Sequence, residues 1–215
     1  MKKILAIVFV LCVGIALAAP IRSLLASRGG EYTEEEELVI VPVEYIESTG
    51  TQWIDLGIVL DTEIEFSIDF QPTIRQSWER YVLGGRKIRF MYYYGYRIYI
   101  YINSNTALGD MINTAALARG TFKKEGDTYT YGRQTYTYEG DYVADNTTAS
   151  LPARNGQNNS GLAVRLFSAQ IGDLDLIPVR FTNSHGEDEG AMYDLATDKL
   201  FRNQGTGSFI IGPDL

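Results

Sequence analysis

Hydrophobic and polar residues alternate along much of this chain. The clearest run is Glu63 to Phe70, where Ile64, Phe66, Ile68 and Phe70 interleave with Glu63, Glu65, Ser67 and Asp69. Successive side chains of an extended backbone take opposite sides, so this run predicts a half-buried strand with its apolar set inward. The parity recurs over Arg97 to Asn103, where Ile98, Ile100 and Ile102 share one face and Arg97, Tyr99 and Tyr101 the other. Lys87 to Tyr93 precedes that run across Tyr94-Gly95-Tyr96, the pattern of a hairpin. Thr128 to Tyr131 and Thr135 to Tyr138 predict a second hairpin around Gly132-Arg133-Gln134. Further strands are expected at Val43 to Glu47, Gln52 to Leu56, Tyr81 to Leu83, Leu162 to Ile171, Leu176 to Thr182, Gly190 to Asp194, Lys199 to Arg202 and Ser208 to Ile211. Residues 141–161 are polar and rich in Asn and Gly, which reads as loop. Only Thr106 to Arg119 has room for a helical turn or two.

Many short strands with closely spaced turns predict an all-β chain folded as a two-sheet antiparallel sandwich. Composition agrees. Tyr is heavy at 15 residues and Gly stands at 21, types that favour strands and tight turns. Hydrophobic residues make up 45%, too many for a disordered chain.

The first residues follow another pattern. Lys2 and Lys3 precede the apolar run Ile4 to Ala16, followed by Ala16-Leu17-Ala18. A positive start, an apolar segment and small residues at a cleavage site predict a secretory signal peptide over 1–18, a hydrophobic leader helix cut after Ala18. An uncleaved anchor is the alternative, but Ile4 to Ala19 falls short of the roughly 20 apolar residues of a spanning helix. Residues 19–42, with Arg28-Gly29-Gly30 and the acidic run Glu34 to Glu37, read as a linker, and 43–215 as the folded domain. The expected location is secreted, cell-surface or periplasmic, with membrane contact only through an uncleaved leader.

The net charge is −8, and loss of the leader with its two lysines takes it to −10. An acidic surface repels nucleic acid, so no nucleic-acid partner is expected. The single cysteine, Cys12, lies in the leader, which leaves the mature chain without disulfides, thiolate metal sites or a cysteine nucleophile.

Two segments carry more than generic strand character. One is Val43-Glu44-Tyr45-Ile46-Glu47-Ser48-Thr49-Gly50-Thr51-Gln52-Trp53-Ile54-Asp55. The other combines Leu176-Ile177-Pro178-Val179-Arg180 and Gly190-Ala191-Met192-Tyr193-Asp194 with Lys199-Leu200-Phe201-Arg202-Asn203-Gln204-Gly205-Thr206-Gly207-Ser208-Phe209. Together they resemble the opening and closing strands of concanavalin A-like lectin/glucanase (LamG-type) modules of bacterial and phage surface proteins. Leu166 to Ile171 is similar to the penultimate core strand of those modules. The resemblance implies a jelly roll whose first and last strands lie close together. It implies a carbohydrate-binding or adhesive surface role only loosely, because one fold hosts many functions. Most residues of the two motifs read as scaffold, with Tyr45, Ile46, Tyr193 and Phe201 expected in the core.

Catalysis finds little support. Asp61-Thr62-Glu63-Ile64-Glu65 has the alternate spacing of a glycosidase carboxylate set, but not the residue order of the jelly-roll glucanases. A solvated strand face explains the same residues, and glycoside hydrolysis is the weakest of the functional readings. His185, the only histidine, sits in a sequence that reads as loop, with no nucleophile motif near it. No cofactor is expected, and a calcium site built from loop oxygens is left open. The ligand candidates are aromatic: Trp78, Tyr92, Tyr94, Tyr99 and Tyr101, with Trp53 and the tyrosines of the second hairpin beside them. Such rings stack on sugar faces, and equally pack across strands. The expected protein is therefore a non-catalytic, lectin-like module meeting a glycan or a cell-surface protein. A scaffolding domain of the cell envelope is the alternative.

Overall fold

The computed structural model describes residues 38–61, 63–74, 76–95, 97–102, 106–113, 117–140, 145–154 and 160–215. For 76–79, 90–95, 97–102 and 106–113 the description is of the backbone alone. The leader and the first part of the linker lie outside the described residues.

Among the described residues every regular element is a strand. In chain order these are β1 (Ile40–Pro42), β2 (Ile46–Thr49), β3 (Ile54–Val59), β4 (Phe66–Pro72), β5 (Gln76–Tyr81) and β6 (Arg89–Gly95). Then come β7 (Arg97–Ile102), β8 (Thr106–Asn113), β9 (Gly120–Glu125), β10 (Thr128–Tyr131), β11 (Gln134–Thr137) and β12 (Thr148–Leu151). The last are β13 (Ala163–Ile171), β14 (Leu174–Thr182), β15 (Asp188–Asp194), β16 (Lys199–Phe201) and β17 (Ile210–Ile211).

Eleven strands form one antiparallel sheet, whose main path runs β11-β10-β9-β4-β13-β14-β15-β16. β2 joins it along β13, β17 along β2, and β1 along β14. β5-β6-β7-β8 make a four-stranded sheet, and β3 pairs with β12. Single bridges from Gly84 to Arg89 and to Ser150 connect these two smaller groups.

Parity decides which side is core. Along β4, Phe66, Ile68 and Phe70 are buried, while Ser67, Asp69 and Gln71 are half-exposed, as the sequence alternation requires. Phe122 and Tyr129 continue this layer from β9 and β10, with ring centroids 5.1 Å apart for Phe66–Phe122 and 6.2 Å for Phe122–Tyr129. Ile54 and Leu56 of β3, Ala149 and Leu151 of β12, and Val82, Leu83 and Ile88 complete the same buried cluster. Each large apolar side chain so buried contributes roughly 1.5–3 kcal/mol. On β14, Leu176 joins this cluster while Val179 and Phe181 belong to a smaller one with Ala191 and Tyr193. An odd spacing along a strand places residues on opposite faces.

The opening and closing segments meet. β17 pairs with β2, Gly212 donates to the Tyr45 carbonyl at 2.9 Å, and Val43 bridges Asp214. The Gln204 N–H reaches the Trp53 carbonyl at 2.7 Å. Of the expected core residues, Ile46, Tyr193 and Phe201 are buried. Tyr45 is only half-buried, with the Arg165 guanidinium 4.5 Å from its ring.

Several elements differ from the sequence reading. The strand expected at Tyr81 to Leu83 runs instead over Gln76–Tyr81, and Val82 and Leu83 follow it outside the strand. Thr106–Asn113 is a strand rather than helical turns, because pairing with β7 satisfies backbone groups that a helix of one or two turns leaves open. β12 lies inside the polar stretch read as loop and is held by pairing with β3. β9 was not expected, because the position following Phe122 in its inward parity is Lys124 rather than an apolar residue. The first strand begins at Ile40, inside the segment read as linker.

Candidate functional site

The side of the large sheet away from the main core carries a polar groove. Lys123 of β9 stands opposite Ser67 of β4, Ser67 opposite Gln170 of β13, and Gln170 opposite Asp175 of β14. Directly opposed residues of antiparallel strands share a face. These four therefore form one row across four strands, spanning roughly 14 Å at the usual strand spacing. The row floors a groove of about 400 Å³, whose other lining residues include Glu65, Glu125 and Asp173. That volume falls within the range of small-ligand sites. The β13–β14 connection closes one end through Gly172 and Asp173, with Gly172 at φ 57°. A glycine first in a two-residue loop is the chemistry of a tight hairpin turn.

Lys124 lies beside the groove but belongs to the inner side, where it is fully buried. Burial pulls its ammonium pKa below the usual lysine range, and the charges of Asp127, Glu65, Glu63 and Asp61 act in the opposite direction. Lys123, its neighbour, is exposed and presents its charge to the groove.

The polar face continues past the row. Asp69 stands opposite Thr121 and Ser168, and Arg119 binds Asp69 through two nitrogens, with Nη2–Oδ2 at 2.7 Å. That bond to Asp69, more than any other factor, raises the Arg119 pKa. The same guanidinium lies 3.6 Å from the centre of the Phe167 ring. Phe167 sits at a register shift between Leu166 and Ser168, and it and Ser168 are both half-exposed. A bulge of this kind re-aims side chains. Here it leaves Ser168 half-exposed beside Phe167 and moves the buried positions to Ala169 and Ile171.

The five aromatic residues predicted as ligand contacts are Trp78 on β5, Tyr92 and Tyr94 on β6, and Tyr99 and Tyr101 on β7. Their side chains lie outside the described residues. Their backbone register is defined: Tyr92 opposes both Tyr81 and Tyr99, Tyr94 opposes Arg97, and Tyr101 opposes Arg89. The tyrosines of the second hairpin are packing residues, since Tyr129, Tyr131 and Tyr138 are buried and Tyr136 packs on the same cluster. Trp53 is half-buried, its backbone tied to Asn203 and Gln204.

The acidic set does not form a strand-borne array. Asp61, Glu63 and Glu65 precede β4, and Asp61 Oδ1 accepts the N–H groups of Glu63 at 2.9 Å and Ile64 at 3.0 Å. Asp61 thus closes its own turn. Glu65 accepts from Gly126 N at 3.4 Å and lines the groove. Asp173 and Asp175 also line it. His185 sits on an exposed turn ordered by Asn183, whose Oδ1 accepts the His185 N–H at 2.9 Å. Among the described residues no group of three or more His, Cys, Asp or Glu is placed to hold a metal ion.

Sequence reasoning missed Ser67, Lys123 and Gln170 as a set. Ser67 had a signal, as an outward residue of the clearest alternating run. The row itself depends on register between distant strands. Comparison with protein-family models, curated proteins and solved structures finds no match to this chain.

Proposed function

We propose that this protein is an exported, non-catalytic module that binds carbohydrate on the polar face of its large sheet. In this reading the domain is a concanavalin A-like jelly roll and acts outside the cell or at its surface. Support for the jelly roll comes from the two motif segments and from the way the first and last strands close on each other.

The observation that carries the carbohydrate reading is the row Lys123, Ser67, Gln170 and Asp175. A hydroxyl-rich ligand needs fixed donors and acceptors more than a deep apolar pocket. Strands hold such groups more rigidly than loops do. An ammonium, a hydroxyl, an amide and a carboxylate in line supply both kinds of partner. The non-catalytic part rests on Asp61, whose carboxylate serves its own turn instead of lining up with Glu63 and Glu65.

A glycan array probed with the labelled full chain, run beside a reducing-sugar assay, tests both parts. The expected result is saccharide binding without sugar release. An array with no bound saccharide would remove the carbohydrate reading. Sugar release abolished by Glu63→Gln would overturn the non-catalytic one.

A further inference from the structure

We propose a second site, separate from the groove: Arg89 and Arg154 form an oxyanion subsite beside Tyr81, suited to the carboxylate or sulfate of an acidic saccharide. The saccharide carrier rests on the reading above; the oxyanion subsite does not.

The Arg89 and Arg154 guanidiniums lie 5.9 and 5.7 Å from the centre of the Tyr81 ring. Both distances are within cation–π range. The Nε of each is buried and has no hydrogen-bond partner among the described residues. A buried donor without an acceptor is costly, and native structures keep few of them. Three other arginines meet carboxylates: Arg119 meets Asp69 at 2.7 Å, Arg165 meets Glu47 at 2.8 Å, and Arg180 meets Asp214 at 2.8 Å. Arg89 and Arg154 make no ion pair among the described residues.

The surroundings reinforce the case. The stretch 80–89 holds Arg80, Arg86, Lys87 and Arg89 without one acidic residue, in a chain of net charge −8. The fold adds Arg154 to it, anchored by a 3.2 Å bond from Nη2 to the Arg86 carbonyl. The acid at this loop, Asp145, is committed. It accepts the N–H groups of Lys87, Ile88 and Asn146 at 2.8, 2.9 and 2.8 Å and the Thr147 hydroxyl at 3.0 Å. Those bonds fix the turn from Gly85 to Ile88, and among the described residues no carboxylate pairs with either guanidinium.

A guanidinium offers its Nε–H beside an Nη–H, a fork that matches two oxygens of a carboxylate or sulfate. Two like charges gathered at one ring repel each other, and an anion bound beside them offsets the repulsion. The backbone register also sets Tyr92 opposite Tyr81 and Tyr101 opposite Arg89. Two of the five aromatic positions predicted as ligand contacts are thus in backbone register with Tyr81 and Arg89.

The test is NMR observation of the arginine Nε–H signals in the full chain. It is titrated separately with sodium sulfate, a uronic-acid oligosaccharide and a neutral oligosaccharide of equal length. The Arg89 and Arg154 signals are expected to move with sulfate and uronate and to stay fixed with the neutral sugar. Arg89→Gln and Arg154→Gln are each expected to weaken uronate binding at least tenfold while sparing neutral-sugar binding. Arg89→Lys, which keeps the charge and loses the fork, is expected to recover only part. Signals unmoved by either oxyanion would overturn the subsite, and the wild-type titration decides this even if a variant fails to fold. Movement with sulfate but with neither saccharide would keep the oxyanion site and remove its saccharide carrier. Saccharide binding with the arginines unmoved by both sulfate and uronate would do the reverse.

Discussion

Asn203 accepts the backbone N–H of Trp53 through its side-chain oxygen at 3.1 Å, across 150 residues of sequence. The same oxygen accepts the Gly205 N–H at 2.8 Å, and the Asn203 Nδ2 donates to the Gly207 carbonyl at 2.6 Å. One amide therefore orders the closing turn and ties it to the opening segment. An asparagine, which donates and accepts at once, is the natural choice there.

Removing that amide should loosen the closure. Asn203→Ala is expected to lower stability by about 1–3 kcal/mol, since it leaves the Trp53 and Gly205 donors without their acceptor. Gly205→Ala should cost more, because a Cβ there would lie 1.9 Å from the Thr51 carbonyl oxygen. Urea denaturation of the two variants beside wild type measures both effects, and an unchanged midpoint for Asn203→Ala would contradict this role.

Acid should destabilise the fold through two buried carboxylates. Burial acts to raise the Asp194 pKa, but bonds from the Thr197 hydroxyl and the Asp175, Ala196 and Thr197 amides outweigh it, so the pKa lies below the usual aspartate value. Asp145 behaves alike, its burial outweighed by its four hydrogen bonds. A folded pKa below the unfolded one gives stability that is present above the unfolded value and lost as pH falls through the folded one. The thermal midpoint should therefore hold down to about pH 5 and drop below about pH 4. Asp194→Asn should melt lower at pH 7 and show a shallower acid drop in calorimetry.

The polar row should matter to binding and little to folding. Gln170→Ala and Ser67→Ala are each expected to weaken saccharide binding about tenfold, which is about 1.4 kcal/mol. Their urea midpoints should stay near wild type, because outward strand positions usually change stability by less than about 0.5 kcal/mol. Titration calorimetry beside denaturation separates the two effects. Equal losses in both measurements would make these residues structural.

The alternation over Glu63 to Phe70 was legible because every inward position of β4 is apolar and burial needs nothing else. β9 was hidden by Lys124, an inward residue that breaks the apolar pattern. The parity after Leu166 was hidden because a bulge moves the buried positions to Ala169 and Ile171 without any glycine or proline to announce it. The groove was hidden for another reason. Lys123, Ser67, Gln170 and Asp175 become neighbours only through the register of three strand pairs, and single-strand periodicity does not encode that register. Arg154 joins Tyr81 and Arg89 in the same way, brought from a stretch that reads as loop.

The most direct test of carbohydrate binding on the large sheet is backbone NMR mapping of the full chain with the best saccharide found on the array. Perturbed amides should cluster at Ser67, Lys123, Gln170 and Asp175. Perturbations confined to β15 and β16, or none at saturating sugar, would contradict the account.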